Sequence, residues 1–111
     1  MPDKEWLGEF EQIVLLAVLR LGTSAYGFAV QQEIQACTGR SCSIGAIYTT
    51  LDRLEKKGFV ASWIGEPTPL RGGRAKKYFK VEGAGESSLR RSYNATASMI
   101  AGMEPSFGGS R

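Results

Sequence analysis

The sequence predicts a mainly α-helical fold with one small β-hairpin set between its third and fourth helices. Three observations carry this. Apolar residues recur at helical spacing in three blocks between residues 9 and 57, separated by short links that contain glycine. After Gly58 the apolar period shortens to about 2 in "FVASWI" and again in "KKYFKV". Helical spacing then resumes from residue 84. With 111 residues and 42% hydrophobic content, the chain suits one domain with a small core.

Residues 9–21 form the first predicted helix. Phe10, Ile13, Val14, Ala17, Val18 and Leu21 fall on one wide face, and Gly22 supplies a stop. Residues 26–37 form the second, with Tyr26, Val30 and Ile34 four apart, Ser24 as candidate N-cap and Gly39 as the stop. Residues 44–57 form the third. Ile44, Ile47, Leu51 and Leu54 make one stripe, Ser41 or Ser43 can cap its start, and Gly58 ends it behind Lys56 and Lys57, where positive charge suits the helix dipole. In the second strand Phe79 and Val81 share one side, and Lys76, Tyr78 and Lys80 the other. "GEPTPLRGG" joins the strands as a long, mobile loop. The last helix, 84–103, carries Leu89, Tyr93, Ile100 and Met103 as a stripe on a surface otherwise rich in Ala and Ser, and residues 104–111 are expected to be a disordered tail.

Three helices, a hairpin and a fourth helix are the order of a winged helix-turn-helix (residues 1–83) extended by a C-terminal helix (84–103). In that architecture the third helix enters the major groove of DNA and the hairpin wing lies against the backbone beside it. Charge placement agrees. Residues 40–80 hold nine Lys and Arg against three Asp and Glu, whereas the rest holds five against eight, so a chain of net charge +3 is polarised into a basic third and an acidic remainder. Such asymmetry fits an anionic partner. On the third helix Ser43, Ala46, Thr49, Thr50 and Arg53 are small or hydrogen-bonding side chains suited to base edges and phosphates. "RGGRAKKYFK" places Arg71, Arg74, Lys76 and Lys77 at the tip and upper strand of the wing, with Gly72 and Gly73 to turn it. Of Tyr78 and Phe79, at least one must anchor the wing to the core, and Trp63 reads as a packing residue of the wing strand.

Other classes lose support on composition. The chain has no histidine, which removes His-based acid–base chemistry, Ser-His-Asp triads and most zinc sites. Cys37 and Cys42 match no common zinc spacing and read as half-buried structural thiols. "GAG" at 83–85 lacks the strand and spacing of a phosphate loop. We therefore expect neither an enzyme nor a cofactor. "IVLLAVLRL" is half a membrane span and contains Arg20, and no signal peptide opens the chain, so a cytoplasmic protein without a membrane partner is expected. A winged-helix adaptor that binds protein instead of DNA is the alternative reading.

The motifs resemble those of the PadR family of bacterial transcriptional regulators. "AYGFAVQQEI" matches its second helix, "SIGAIYTTLDRLEKKGFVAS" its recognition helix and first strand, and "GGRAKKYFKVEGAGESSL" its wing, second strand and start of the last helix. The resemblance covers roughly residues 9–90. It implies that Tyr48 contacts the DNA backbone, that Tyr26 and Gly27 bring the start of helix two against a phosphate, and that Leu51, Leu54 and Glu55 are structural. It also implies a homodimer through the last helix. The stripe Leu89, Tyr93, Ile100 and Met103 then lies along the seam, the alternative being that it packs on helix one of the same subunit. Trp6 and Phe10, four apart, can help line the same seam. Repression by occupying an inverted-repeat operator follows, relieved by a small-molecule effector where one exists. This chain departs from the family in having Thr49 where Pro is frequent and Glu82 where Thr commonly leads into the last helix. Its last helix is short and lacks a Trp, so a pocket for flat aromatic drugs is not expected.

Overall fold

The computed structural model describes residues 6–66 and 75–103. Helix α1 spans Glu9–Leu21, α2 Gly27–Thr38, α3 Ile44–Lys56 and α4 Gly83–Ile100; strands β1 (Val60–Ile64) and β2 (Lys77–Val81) lie between α3 and α4. The strands are antiparallel, with Val60 opposite Val81, Ser62 opposite Phe79 and Trp63 opposite Tyr78. This is the winged helix-turn-helix order with one helix added. Most of the joining loop, and with it Arg71 and Arg74, lies outside the described residues, as does the 104–111 tail.

The core forms where α1 crosses the other elements. Val14, Leu15, Val18, Val30, Ile34, Ile47, Leu51, Leu54 and Phe79 are completely or almost completely buried. Phe79 is the anchor of the wing; burying such a ring is worth about 2–3 kcal/mol. The buried face of α1 is turned from the expected one. Leu15 and Glu11 go inward, while Phe10, Ile13 and Leu21 are only half-covered. Leu16 and Leu19 are exposed on the opposite side. Ile44, expected on the α3 stripe, stands at the helix start and is 41% exposed.

The ends of α3 follow local chemistry, and the start of α2 does not. The Ser43 hydroxyl accepts the Ala46 amide at 3.0 Å and caps α3. At its other end Gly58 has φ of 81°, a left-handed turn that glycine adopts without strain, and the Phe59 amide reaches back to the Leu54 carbonyl at 2.9 Å. The N-cap of α2 is Tyr26 with no side-chain cap bond, not Ser24. Tertiary structure overrides the local signal here. The Phe79 amide donates to the Ala25 carbonyl at 2.8 Å and Tyr26 forms a β-bridge with Tyr78, so these two residues continue the sheet before α2 begins.

A buried carboxylate ties the start of α1 to the end of α3. Glu11 accepts the Gly8 amide at 2.9 Å and the Lys57 ammonium at 3.0 Å, with the Arg53 guanidinium at 3.8 Å. Burial is the largest single influence and raises its pKa. The Gly8 amide, Lys57 and Arg53 together outweigh it and hold the carboxyl below the ordinary glutamate value. On the far side of α1, Arg20 clamps Glu33 of α2 at 2.6 Å.

Helix α4 joins the body along Gly85, Ser88, Leu89 and Ser92. Gly85 lies so close to Phe59 that any Cβ there would overlap the Phe59 carbonyl, and the Glu82 amide donates to that same carbonyl at 2.8 Å. Glu82 is the N-cap of α4 and makes no side-chain cap bond. Among the described residues, no helix is long and apolar enough to cross a membrane, and no group of His, Cys, Asp or Glu could hold a metal ion.

Candidate nucleic-acid interface

The exposed side of α3 carries Ser43, Ala46, Tyr48, Thr49 and Arg53. Thr49 and Arg53, with Asp52 and Lys56, line a shallow depression of about 330 Å³. Thr50 does not belong to this surface. It is 4% exposed and packs on the core side among Ile47, Leu51 and Leu54, so its assignment to base contact is corrected. Ser43 is exposed, but its hydroxyl already accepts the helix amide. Arg53 is half-exposed and shares Glu11 with Lys57, which leaves it able to reach outward from a fixed base.

Gly27 is buried, and the reason is Tyr48. The phenol ring of Tyr48 rests directly on the Gly27 Cα, and a Cβ at residue 27 would overlap the ring. The glycine therefore does not itself face solvent. Its role is to let α3 and the start of α2 approach until the Tyr48 ring lies across both, and Tyr48 stays 38% exposed at that junction.

From Tyr26 a row of rings continues into the wing. Tyr26, beside Gly27, meets Tyr78 edge to face with centroids 5.7 Å apart. Tyr78 stacks on Trp63 at 5.6 Å with planes 19° apart. The Lys76 ammonium sits 5.0 Å from the centre of the Tyr26 ring, a cation–π contact. Tyr26, Gly27, Tyr48 and Lys76 are thus brought together, while Lys77 is not. The pleat turns Lys77 the other way, over the Phe79 ring at 5.6 Å and within 4.0 Å of Glu55, so it serves the wing root more than the wing surface. Exposed Phe28 went unnoticed in the sequence because it lies off the α2 stripe, and Ile64, on the Val60 side of β1, is exposed at the outer end of the strand.

The residues expected at a subunit seam divide as well. Leu89 is 7% exposed and so covered within the subunit, and Phe10 is half-covered, packed against the core beneath the Arg40 guanidinium. Trp6 is exposed, with the Arg91 guanidinium 5.6 Å from its ring. Tyr93, Met99 and Met103 of the α4 side are exposed, and Ile100 is half-covered. Between α1 and α4 runs a cleft of about 290 Å³ lined by Leu16, Leu19, Leu89, Tyr93 and polar residues at its rim. Leu16 and Leu19 were missed because the α1 reading stopped at one face; a helix apolar nearly all round has two faces to cover. The cysteines are both free thiols, Cys42 half-buried as expected and Cys37 exposed, 3.5 Å from Glu33.

A basic hairpin beside a helix with a small, polar outer face, joined through a tyrosine at the start of the preceding helix, defines a winged-helix regulator. The profile of the transcriptional regulator PadR-like family matches residues 15–91, and the chain belongs to that family, whose members are transcriptional regulators and not enzymes. Solved structures share the fold. A transcriptional regulator from Clostridium thermocellum is 18% identical with a TM-score of 0.68, covering 81% of this chain and 84% of its own. A PadR family regulator from hypervirulent Clostridium difficile is 20% identical with a TM-score of 0.65, covering 85% and 94%. RosR from H. salinarum is 22% identical with a TM-score of 0.67, covering 90% and 83%. No curated protein matches the chain in sequence.

Proposed function

We propose that the protein is a homodimeric repressor that binds double-stranded DNA with α3 in the major groove and the hairpin wing on the adjacent backbone. The observation that carries this is the exposed Ala46, Thr49 and Arg53 of α3, with Tyr48 seated on Gly27 at the start of α2 and Lys76 of the wing seated on neighbouring Tyr26. Small side chains let the helix approach base edges, and the flanking cations and tyrosines suit phosphates. The apolar side chains left uncovered on α1 and α4 (Leu16, Leu19, Tyr93, Met99) support pairing with a second copy. A two-fold dimer sets its recognition helices about 34 Å apart and reads an inverted repeat. The dimer would then exclude transcription by occupancy until an effector alters the spacing of its wings.

Selection of bound duplexes from a random pool tests binding, symmetry and spacing together. The expected product is an inverted repeat with half-sites about one helical turn apart. A pool that stays unenriched, in dilute salt as well as moderate salt, would sink the reading.

A further inference from the structure

We propose that Trp63 is a positioning residue for DNA binding: through Tyr78 and Tyr26 it fixes where Lys76 stands beside the recognition helix. The inference deepens the reading above and rests on it. Trp63 contributes little to the core, because it lies on the outer face of the hairpin, opposite the face that buries Val60 and Phe79, and is 40% exposed. What the indole covers is Tyr78. That ring is held between the Trp63 plane on one side and the Tyr26 ring on another, and Gly65 leaves room for it: a Cβ at residue 65 would come within 2.5 Å of Tyr78 Cε1. Tyr26 in turn presents its ring to the Lys76 ammonium.

The physical effect is ordering in advance. An exposed lysine attracts phosphate from any rotamer, but one already localised loses less entropy when the duplex arrives. That saving amounts to roughly two- to tenfold in affinity for a rotamer-rich side chain. Without the indole, Tyr78 loses its backing, the edge contact with Tyr26 loosens, and Lys76 loses the ring that localises it. Trp63 thus acts on DNA through a residue three contacts away, without touching the duplex.

A double-mutant cycle on the full chain tests this, using a labelled duplex of about three helical turns in dilute buffer. Lys76→Ala should weaken binding about five- to tenfold, since each lost phosphate contact forfeits released counterions. Trp63→Ala should weaken it about threefold while the melting curve keeps its cooperative shape. The double variant should bind like Lys76→Ala alone, and Trp63→Phe should recover most of the wild-type affinity. Gly65→Ala, which displaces Tyr78 from the other side, should give the same non-additive loss and carries the cycle if Trp63→Ala does not fold. Wild-type affinity in Trp63→Ala, or a Trp63→Ala loss that adds in full to that of Lys76→Ala, overturns the proposal. So does normal binding by Lys76→Ala. A wild-type chain that ignores every duplex would instead remove the DNA-binding reading itself, before the cycle begins.

Discussion

Two neighbouring threonines show how single positions divide their work. Thr49 is exposed beside Arg53 and Thr50 is buried among the α3 leucines, although both are the same residue type. Thr49→Ala should relax sequence preference at one or two base pairs, each worth about 1–3 kcal/mol, with little change in stability. Thr50→Ala should do the reverse, costing about 1 kcal/mol of stability in a urea titration while leaving preference intact. The distinction was legible: Thr50 stands three after Ile47 and four before Leu54, on the core stripe, and only its hydroxyl disguised it. Glu11 was not legible, since nothing in the local sequence announces Lys57 at a distance of 46 positions. Its folded-state pKa lies below the ordinary value of 4.5. Its contribution is therefore fully present above that value and is lost as pH falls through the lowered one. Glu11→Gln should cost about 1–3 kcal/mol at neutral pH and flatten the decline of stability on acidification, as followed by chemical denaturation from pH 7 downward.

At the scale of elements, the sequence located every helix and both strands to within a few residues. Glycines mark the helix ends, and the change of period marks the hairpin. It misplaced the cap of α2 because Ala25 and Tyr26 are claimed by β2, a partner more than fifty positions away whose pull no local pattern records. It also could not foresee the row of rings from Tyr26 through Tyr78 to Trp63, since those residues come from three separate segments. The root of α4 depends on a similar long-range approach. Gly85→Ala would force α4 away from the Phe59 carbonyl, and backbone cannot yield as a flexible side chain can. Overpacking of this kind should cost about 1–3 kcal/mol, read as a lower urea midpoint with unchanged slope.

For the molecule as a whole, the placement of charge sets the measurable behaviour. The basic third of the chain, Arg40 to Lys80, includes α3 and the wing, and two copies would present it twice to one duplex. If a dimer neutralises roughly 6–8 phosphates, the logarithm of affinity should fall against the logarithm of salt with a slope of about −5 to −7. A titration across dilute to moderate salt checks this, and a slope near zero would contradict phosphate-led binding. The family and fold were readable from motifs; the uncovered Leu16 and Leu19 became apparent only when α1 was seen crossing the body with one side left over. The seat of Gly85 on Phe59 has a mechanical meaning too. The Phe59 carbonyl receives the Glu82 amide at the foot of the hairpin, so the start of α4 and the base of the wing are held at one backbone group. Loss of that seat would therefore be felt on both sides of it, by the long helix and by the base of the ribbon.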